Sequence, residues 1–299
     1  MLQASNIPLP VSSSSRCGRI GRPAMRQACS RRAVRVTAQQ GGPTVGELAE
    51  KYSIKNAVQF MAGNEGLPKI QLKHNCGAAA EVYLFGACVT SWKQRSGDEV
   101  LYVRPDAVFN KSKPISGGLP HCFPQFGPGP MQQHGFARNL DWTVTSTSAN
   151  PNPDDPEPSG SVGDQQVRHD SAGDLSDHNA GAMLLFQCLW LTYLDKSKDP
   201  KNPEKKVEER DTFGFGESLV DSVFLGAPEH LELDVGTGAA VAIDATGWED
   251  AVVWNPHHTM KECYERFACV ENAKFGTPAK VQPGGSWEAT ANFSVINIS

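Results

Sequence analysis

Four polar side chains lie in sequence settings where they could do chemistry. His134 and Arg138 share the segment QHGFARN, which follows a Gly- and Pro-rich stretch. Asp221 lies inside an apolar run, and Glu271 ends another apolar run, FACVE. A carboxylate at the end of an apolar strand is partly removed from water, which raises its pKa toward the range of a general base. These residue types therefore indicate acid–base chemistry on a bound ligand.

Each of these residues also has a structural interpretation, which the sequence leaves open. A lone histidine more often serves structure than catalysis, and Asp221 and Glu271 could simply cap turns. The two histidines of WNPHH, at 257 and 258, follow a further apolar run and carry the same two interpretations. The chain contains no P-loop, dinucleotide fingerprint, GxSxG or HExxH motif. Spacing alone does not name a reaction.

The element that must position His134 and Arg138 is the stretch 114–144. Its many glycines and prolines exclude a long helix and leave room for a strand only near its end. It also contains three phenylalanines and Trp142, which disordered segments rarely carry. The sequence predicts an ordered loop that brings both side chains to a site, with a purely structural loop as the alternative.

The rest of the chain reads as short β-rich runs separated by turn residues. A helix is expected over 44–52, with Thr44 as N-cap and Glu47 three residues later. The charged, Pro-containing segment 196–211 is predicted to be a loop. This pattern predicts an all-β fold, an antiparallel sandwich or barrel with long loops. The predicted strands are 69–74, 80–85, 88–92, 99–103, 183–194, 219–225, 230–234, 239–245, 251–254, 267–271 and 287–296.

Charge is distributed unevenly along the 299 residues. The seven basic residues before Glu47 are all arginines, that leader is rich in serine, and Glu47 is the first acidic residue. Such a leader predicts an organelle transit peptide over 1–38, with a basic nucleic-acid-binding arm as the alternative. The remaining 21 basic and 33 acidic residues leave a mature chain near −12. So acidic a body is a poor nucleic-acid partner, and an anionic ligand would need a local basic pocket.

Two other features limit the class of protein. No apolar run approaches the roughly 20 residues of a membrane span. None of the eight cysteines forms a CxxC pair, which favours reduced thiols over a disulfide framework or a zinc site. The stretch 146–182 has almost no large apolar side chains. It is interpreted as a flexible or foreign insertion in the domain.

The wording of several segments resembles one family. GGLPHCFPQFGPG followed by QQHGFARN is similar to the signature of the glucose-6-phosphate 1-epimerases, which are hexose-6-phosphate mutarotases related to aldose 1-epimerase. VDSVFLGAP, AVVWNPHH, FACVENA and PGGSW follow in the order found in that family. The resemblance covers about residues 55–145 and 191–296. The Arg-rich leader and the ISGG wording are most similar to plastid members, which implies a location in the chloroplast stroma, with the cytoplasm as the alternative.

The resemblance implies a galactose-mutarotase-like β-supersandwich over residues 39–299. It also implies interconversion of the α and β anomers of glucose 6-phosphate by acid–base opening and closure of the ring. The expected partner is a small hexose phosphate, with no nucleic acid, no membrane, no metal and no organic cofactor, and the expected state is a monomer.

The resemblance also suggests roles for individual residues. Glu271 would be the general base, His134 would act near the anomeric centre, and Asp221 would bind sugar hydroxyls. A guanidinium suits phosphate geometry, which makes Arg138 a phosphate contact. The full set of predicted site residues is catalytic Glu271 and His134, with substrate-binding Gln133, Arg138, Asp221 and Arg104.

Two departures from the family weaken these expectations. Many members have an arginine where Ser116 stands, which leaves the phosphate to Arg138 and Arg104. Nothing in residues 145–190 is similar to the family's core strands there, or to its LHTYF-like motif with the general-acid histidine. His169 and His178 lie in polar sequence instead. The chain is therefore expected to lack several core strands, and a non-catalytic sugar-phosphate-binding homologue is the alternative function. A lectin-like interaction module is a third hypothesis.

Overall fold

A computed structural model describes residues 42–149, 190–215, 218–236, 238–283 and 285–297, and the backbone alone of 160–162 and 183–185. The predicted transit peptide, and both His169 and His178, lie outside the described residues, as does most of the predicted insertion.

The described chain forms antiparallel β-strands joined by long loops, with one α-helix, α1 (Val45–Tyr52). The strands are β1 (Val58–Ala62), β2 (Pro68–Lys73), β3 (Ala79–Tyr83), β4 (Cys88–Lys93), β5 (Val144–Thr147), β6 (Gly160–Val162), β7 (Met183–Leu185), β8 (Thr192–Asp195), β9 (Glu204–Val207), β10 (Thr212–Gly214), β11 (Val220–Leu225), β12 (His230–Asp234), β13 (Ala239–Thr246), β14 (Asp250–Asn255), β15 (Cys269–Ala273) and β16 (Thr290–Asn297).

These strands form three main sheets. The first has the order β1-β2-β3-β4, the second β10-β7-β12-β13-β16, and the third β15-β14-β11-β8-β9, while β5 and β6 form a separate pair. Every pairing between these strands is antiparallel. The all-β sandwich that the sequence predicts is confirmed.

The largest hydrophobic core lies between the second and third sheets. Phe224, Val253 and Val270 of the third sheet belong to one buried cluster with Leu231 and Ile243 of the second, and each is at most 3% exposed. Because side chains alternate along a strand, the neighbours of these residues project from the opposite face of the third sheet. That opposite face carries the candidate site described below.

Helix α1 forms with the N-cap that the sequence predicts, and it covers the first sheet. The Thr44 side chain accepts a hydrogen bond from the Glu47 backbone N–H, and the Glu47 carboxylate accepts one from the Thr44 backbone N–H, so the capping box is complete. Leu48 is 2% exposed and packs in a cluster with Val58 and Phe60 of β1. The amphipathic helix thus buries one face against the sheet.

Two predictions of local structure are wrong. The run 183–194 is not one strand but two, β7 and β8, which belong to different sheets. Trp190, with φ +72° and 69% of its surface exposed, breaks the run between them. The charged segment 196–211 is not all loop, because it contains β9. This strand lies at a sheet edge and can present charged side chains to water.

The predicted strand 99–103 is also absent as a regular strand. The Glu99 carboxylate accepts hydrogen bonds from the backbone N–H groups of Trp92 (2.7 Å) and Leu101 (3.1 Å). A side chain therefore takes the place of ladder hydrogen bonds, and only isolated bridges remain, at Glu99, Leu101 and Val103.

Candidate active site

Two of the predicted carboxylates lie on one face of the third sheet. Glu271 of β15 is opposite Val252 of β14, which is opposite Val223 of β11. Directly opposed residues share a face, and Asp221 lies two residues before Val223, so it shares that face as well. Strand β14 separates the two carboxylates. Sequence reasoning proposed both residues, but only the strand pairing shows that they face the same side.

A lysine that sequence reasoning missed lies beside Asp221. Lys196 follows β8 directly, and its backbone N–H donates to the Asp221 carbonyl at 2.7 Å. Its Nζ also donates to Asp221 Oδ1 at 2.9 Å, with the two side chains only 8% and 17% exposed. The sequence signal for Lys196 is a single cation immediately after an apolar run. Because segment 196–211 is interpreted as a loop, Lys196 is not among the predicted site residues.

The predicted loop covers this face of the sheet. Phe126 packs in one buried cluster with Val223 of β11 and Val252 of β14. Its ring meets the His134 imidazole edge-on, with centroids 5.0 Å apart, and Lys196 Nζ lies 5.0 Å from the centroid of the same ring. The loop is therefore anchored by Phe126, and this anchor brings His134 to the carboxylate face.

The environment of His134 fixes its protonation state. Burial, Arg138 and Lys196 together lower the pKa of His134 to about 4, so the imidazole is neutral at physiological pH. The Gly127 backbone N–H donates to His134 Nδ1 at 3.3 Å. In a neutral imidazole with Nδ1 as acceptor, the hydrogen is on Nε2. The Gly127 N–H thus favours the neutral tautomer with its hydrogen on Nε2. Gln133 Nε2, which lies 3.4 Å from that nitrogen, is itself a donor, so the Gln133 amide must turn its oxygen toward the ring in this tautomer.

The pKa of Glu271 is shifted in the opposite direction to that of His134. Burial raises the pKa of its carboxyl to about 7, while Lys196 and Arg138 pull that pKa downward and Asp221 pushes it upward. A carboxyl with this pKa is about half ionised at neutral pH, which suits a group that must both accept and return a proton. The predicted direction of the shift agrees with this, but the predicted position is wrong, because Glu271 lies in the middle of β15 and not at the end of a strand.

Arg138 supplies unused donors near this carboxyl. Its Nη2 donates to the Gln133 carbonyl at 3.1 Å. Its Nε is buried and has no hydrogen-bond partner among the described residues. Burial lowers the pKa of Arg138, and Glu271 and Cys122 partly oppose that effect. Because a buried donor without a partner is costly, this guanidinium is suited to bind an anionic group of a ligand.

Cys122 is the remaining titratable neighbour of the site. Burial and the nearby Glu271 raise the pKa of its thiol to about 12, so it is a neutral group. No disulfide joins any two of the five described cysteines, Cys76, Cys88, Cys122, Cys263 and Cys269.

Arg104 lies in a different setting from the other predicted residues. Its Nε and Nη2 donate to the two carboxylate oxygens of Asp106 at 2.9 and 2.7 Å. It is not among the charges that perturb Glu271 or His134. A phosphate contact by Arg104 therefore stays a prediction.

The histidines of WNPHH lie in a short 3-10 helix after β14. His257 Nδ1 is 3.0 Å from His258 Nδ1, and the His257 ring meets that of Tyr264. Neither histidine is among the groups that perturb Glu271. These contacts agree with the structural interpretation of this pair.

Among the described residues, no cluster of three or more His, Cys, Asp or Glu side chains is arranged to hold a metal ion. No helix in the described part of the chain combines the length and apolar character needed to cross a membrane.

A sequence profile of the family described as aldose 1-epimerase matches residues 68–157 and 189–294, more than half of the chain. The chain belongs to the aldose 1-epimerase family. The stretch between the two matched parts, 158–188, contains most of the polar stretch 146–182 and the start of the apolar run 183–194.

Related proteins carry consistent names. A Cenchrus ciliaris protein named "Putative glucose-6-phosphate 1-epimerase" is 29% identical over 285 residues, which cover 78% of this chain and 86% of that protein. A protein of the same name from Escherichia coli (strain K12) is 44% identical over 70 residues, 22% of this chain and 24% of that protein.

Two solved structures share the fold. A Salmonella typhimurium structure described as a "putative mutarotase" superposes with a TM-score of 0.68 at 19% identity, covering 82% of this chain and 96% of that one. A galactose mutarotase-like protein from Lactobacillus casei superposes with a TM-score of 0.51 at 14% identity, covering 80% and 99%. The predicted galactose-mutarotase-like fold is confirmed.

Proposed function

We propose that this aldose 1-epimerase family member interconverts the α and β anomers of glucose 6-phosphate. The observation that carries the proposal is the Glu271 carboxyl, whose pKa of about 7 matches a reversible proton acceptor. It shares a sheet face with Asp221 and lies within electrostatic reach of Arg138. Relatives named as glucose-6-phosphate 1-epimerases support this choice of substrate.

In the proposed reaction, the Glu271 carboxylate takes the proton from the O1 hydroxyl of the sugar. The bond between C1 and the ring oxygen breaks, an acid protonates the ring oxygen, and the open aldehyde forms. Rotation about the C1–C2 bond followed by the reverse proton transfers gives the other anomer. His134 donates a hydrogen bond from its neutral Nε2–H to a sugar oxygen near C1, and Asp221 accepts hydrogen bonds from other hydroxyls.

The phosphate needs a local cation because the mature chain is strongly acidic. The buried Nε of Arg138 has no hydrogen-bond partner among the described residues, and a phosphate oxygen could accept from this guanidinium. The position of Arg138 in the same loop as His134 supports a phosphate contact by this residue.

The proposal is tested by measuring anomer exchange of glucose 6-phosphate by NMR with the full chain. We expect the protein to accelerate exchange, and Glu271→Gln to reduce the acceleration by about 10²- to 10⁴-fold, because general base catalysis contributes that much. Glu50→Gln is the matched control, since Glu50 is exposed on α1 and far from Glu271 in the sequence. Full activity in Glu271→Gln would remove the assignment of the base. Ligand-induced stabilisation without acceleration would instead indicate a non-catalytic sugar-phosphate binder.

We also propose that the protein acts in the plastid stroma as a monomer. The Arg-rich, Ser-rich leader that lacks acidic residues supports the location. Import of a fluorescent protein fused after residues 1–38 into isolated chloroplasts would support it, whereas retention in the cytoplasm of plant cells would contradict it.

A further inference from the structure

We propose that Lys196 is the positioning residue that couples the Glu271 carboxyl to the His134 imidazole, because its charge favours the carboxylate of the first and the neutral form of the second. The catalytic meaning of this inference rests on the proposed function. The coupling itself is a property of the folded protein and can be measured without turnover.

The location of Lys196 is set by backbone pairing. Leu194 of β8 is opposite Val223 of β11, which puts Lys196, two residues later, opposite Asp221 on the carboxylate face. The ion pair with Asp221 at 2.9 Å then holds Nζ in place. With 8% of the side chain exposed, water does little to screen its charge.

The same ammonium also reaches the loop side of the site. Its Nζ lies over the Phe126 ring at 5.0 Å from the centroid, and the edge contact of that ring with His134 also spans 5.0 Å. Lys196 is therefore the group in the described site that contacts both the sheet carrying the carboxylates and the aromatic anchor of the loop.

The Lys196 ammonium acts on both Glu271 and His134. A positive charge favours the carboxylate form of Glu271 and disfavours the imidazolium form of His134. The charged or titratable groups that act on Glu271 are Lys196, Asp221, Arg138 and Cys122, and Lys196 exerts the largest lowering effect on its pKa. The charges that act on His134 are Arg138 and Lys196.

Asp221 makes this role separable from a purely structural one. It opposes Lys196 at Glu271, because a neighbouring anion raises the pKa of that carboxyl. It is not among the charges that act on His134. Removing the lysine and removing the aspartate should therefore move Glu271 in opposite directions, whereas only removal of the lysine should move His134.

The test follows the titration of Glu271 by carboxyl ¹³C NMR and of His134 by imidazole ¹⁵N NMR in the full chain. In Lys196→Met we expect both midpoints to rise, that of Glu271 by about one pH unit, as the loss of a close cation allows. In Asp221→Asn the Glu271 midpoint should fall, with that of His134 unchanged. Lys196→Arg should restore both midpoints, and Lys69→Met, which breaks an ion pair with Glu81 in the first sheet, should alter neither.

Kinetics give a second measurement. A one-unit rise in the Glu271 midpoint should lower anomer exchange at pH 7 roughly five-fold in Lys196→Met, with activity recovering as the pH is raised. A purely structural role would lower activity equally at every pH. Unchanged Glu271 and His134 midpoints in folded Lys196→Met would overturn the proposal.

The following results separate a failure of the coupling from a failure to fold and from a failure of the proposed function. If Lys196→Met does not fold because Asp221 is left buried without a partner, Lys196→Met combined with Asp221→Asn removes that charge, and the His134 midpoint must still rise. If the midpoints move as expected and the wild-type chain does not accelerate anomer exchange, the coupling stands and the proposed function fails. If exchange is accelerated and the midpoints do not move, the coupling fails alone.

Discussion

At the scale of single residues, burial shifts the two predicted catalytic groups in opposite directions. Removal from water disfavours the charged form of each group, which raises the pKa of Glu271 to about 7 and lowers that of His134 to about 4. The direction for Glu271 could be predicted from its place at the end of an apolar run. The tautomer of His134 could not, because it depends on the Gly127 N–H, which comes into contact only through the path of the loop.

The raised pKa of Glu271 makes stability depend on pH. Since the folded pKa lies above the unfolded one, its contribution to the free energy of unfolding is full below about pH 4.5 and is lost as the pH rises through about 7. The free energy of unfolding of Glu271→Gln should not show this loss. Relative to wild type, it should therefore rise by about 2.5 kcal/mol between pH 5 and pH 8. Urea unfolding at both pH values measures the difference, with Glu50→Gln as the control. A difference that does not change with pH would contradict the prediction.

At the scale of elements, the site joins a sheet to a loop. The sheet part was partly predictable, because Asp221 and Glu271 lie in runs whose apolar character indicated strands. That the two carboxylates share a face depends on strand pairing across β14, which one sequence does not specify. Lys196 escaped prediction for a related reason. Its charge suggested a loop, whereas its neighbour in space is a strand residue far along the chain.

The loop depends on a close backbone approach at Gly135. This residue has φ +72°, and a Cβ there would lie 2.1 Å from the Phe123 carbonyl oxygen. Gly135→Ala should therefore displace His134 and lower both stability and anomer exchange. Gly66→Ala, between β1 and β2, is the matched control, because Gly66 also has positive φ but open space around its Cβ position. It should lose only the roughly 1 to 2 kcal/mol of left-handed strain.

Chemical unfolding and exchange kinetics of these two variants check the prediction. Equal effects of the two substitutions would show that the contact with Phe123 has no special importance.

At the scale of the whole molecule, the candidate site and the main core occupy opposite faces of the third sheet. Phe224 and Val253 point into the core between the two large sheets, while Val223 and Val252 pack beneath Phe126 on the site face. The all-β class and the positions of most strands could be read from the sequence. The assignment of β7 and β8 to separate sheets could not, because the apolar run that contains both strands is continuous in the sequence.

A ligand that binds this face should stabilise the whole fold. Glucose 6-phosphate at 100 times its dissociation constant should add about 2.7 kcal/mol to the free energy of unfolding. Arg138→Met should lose most of this gain, because it removes the guanidinium proposed to hold the phosphate. Thermal denaturation with glucose 6-phosphate, glucose and inorganic phosphate measures the effect. An equal gain from glucose 6-phosphate in wild type and Arg138→Met would contradict the role of Arg138.

The position of β14 between the two carboxylate strands has a consequence for substrate choice. Both edges of β14 are fully paired, so Asp221 and Glu271 are held two strand spacings apart, roughly 9.5 Å across the sheet. That width cannot change without breaking a ladder of backbone hydrogen bonds. The loop that carries His134 and Arg138 is held to this face by Phe126 and by the close contact at Gly135, and not by a sheet ladder. We therefore expect loop substitutions to change the recognition of the group attached to the sugar, while the sheet keeps a constant width for the sugar ring itself.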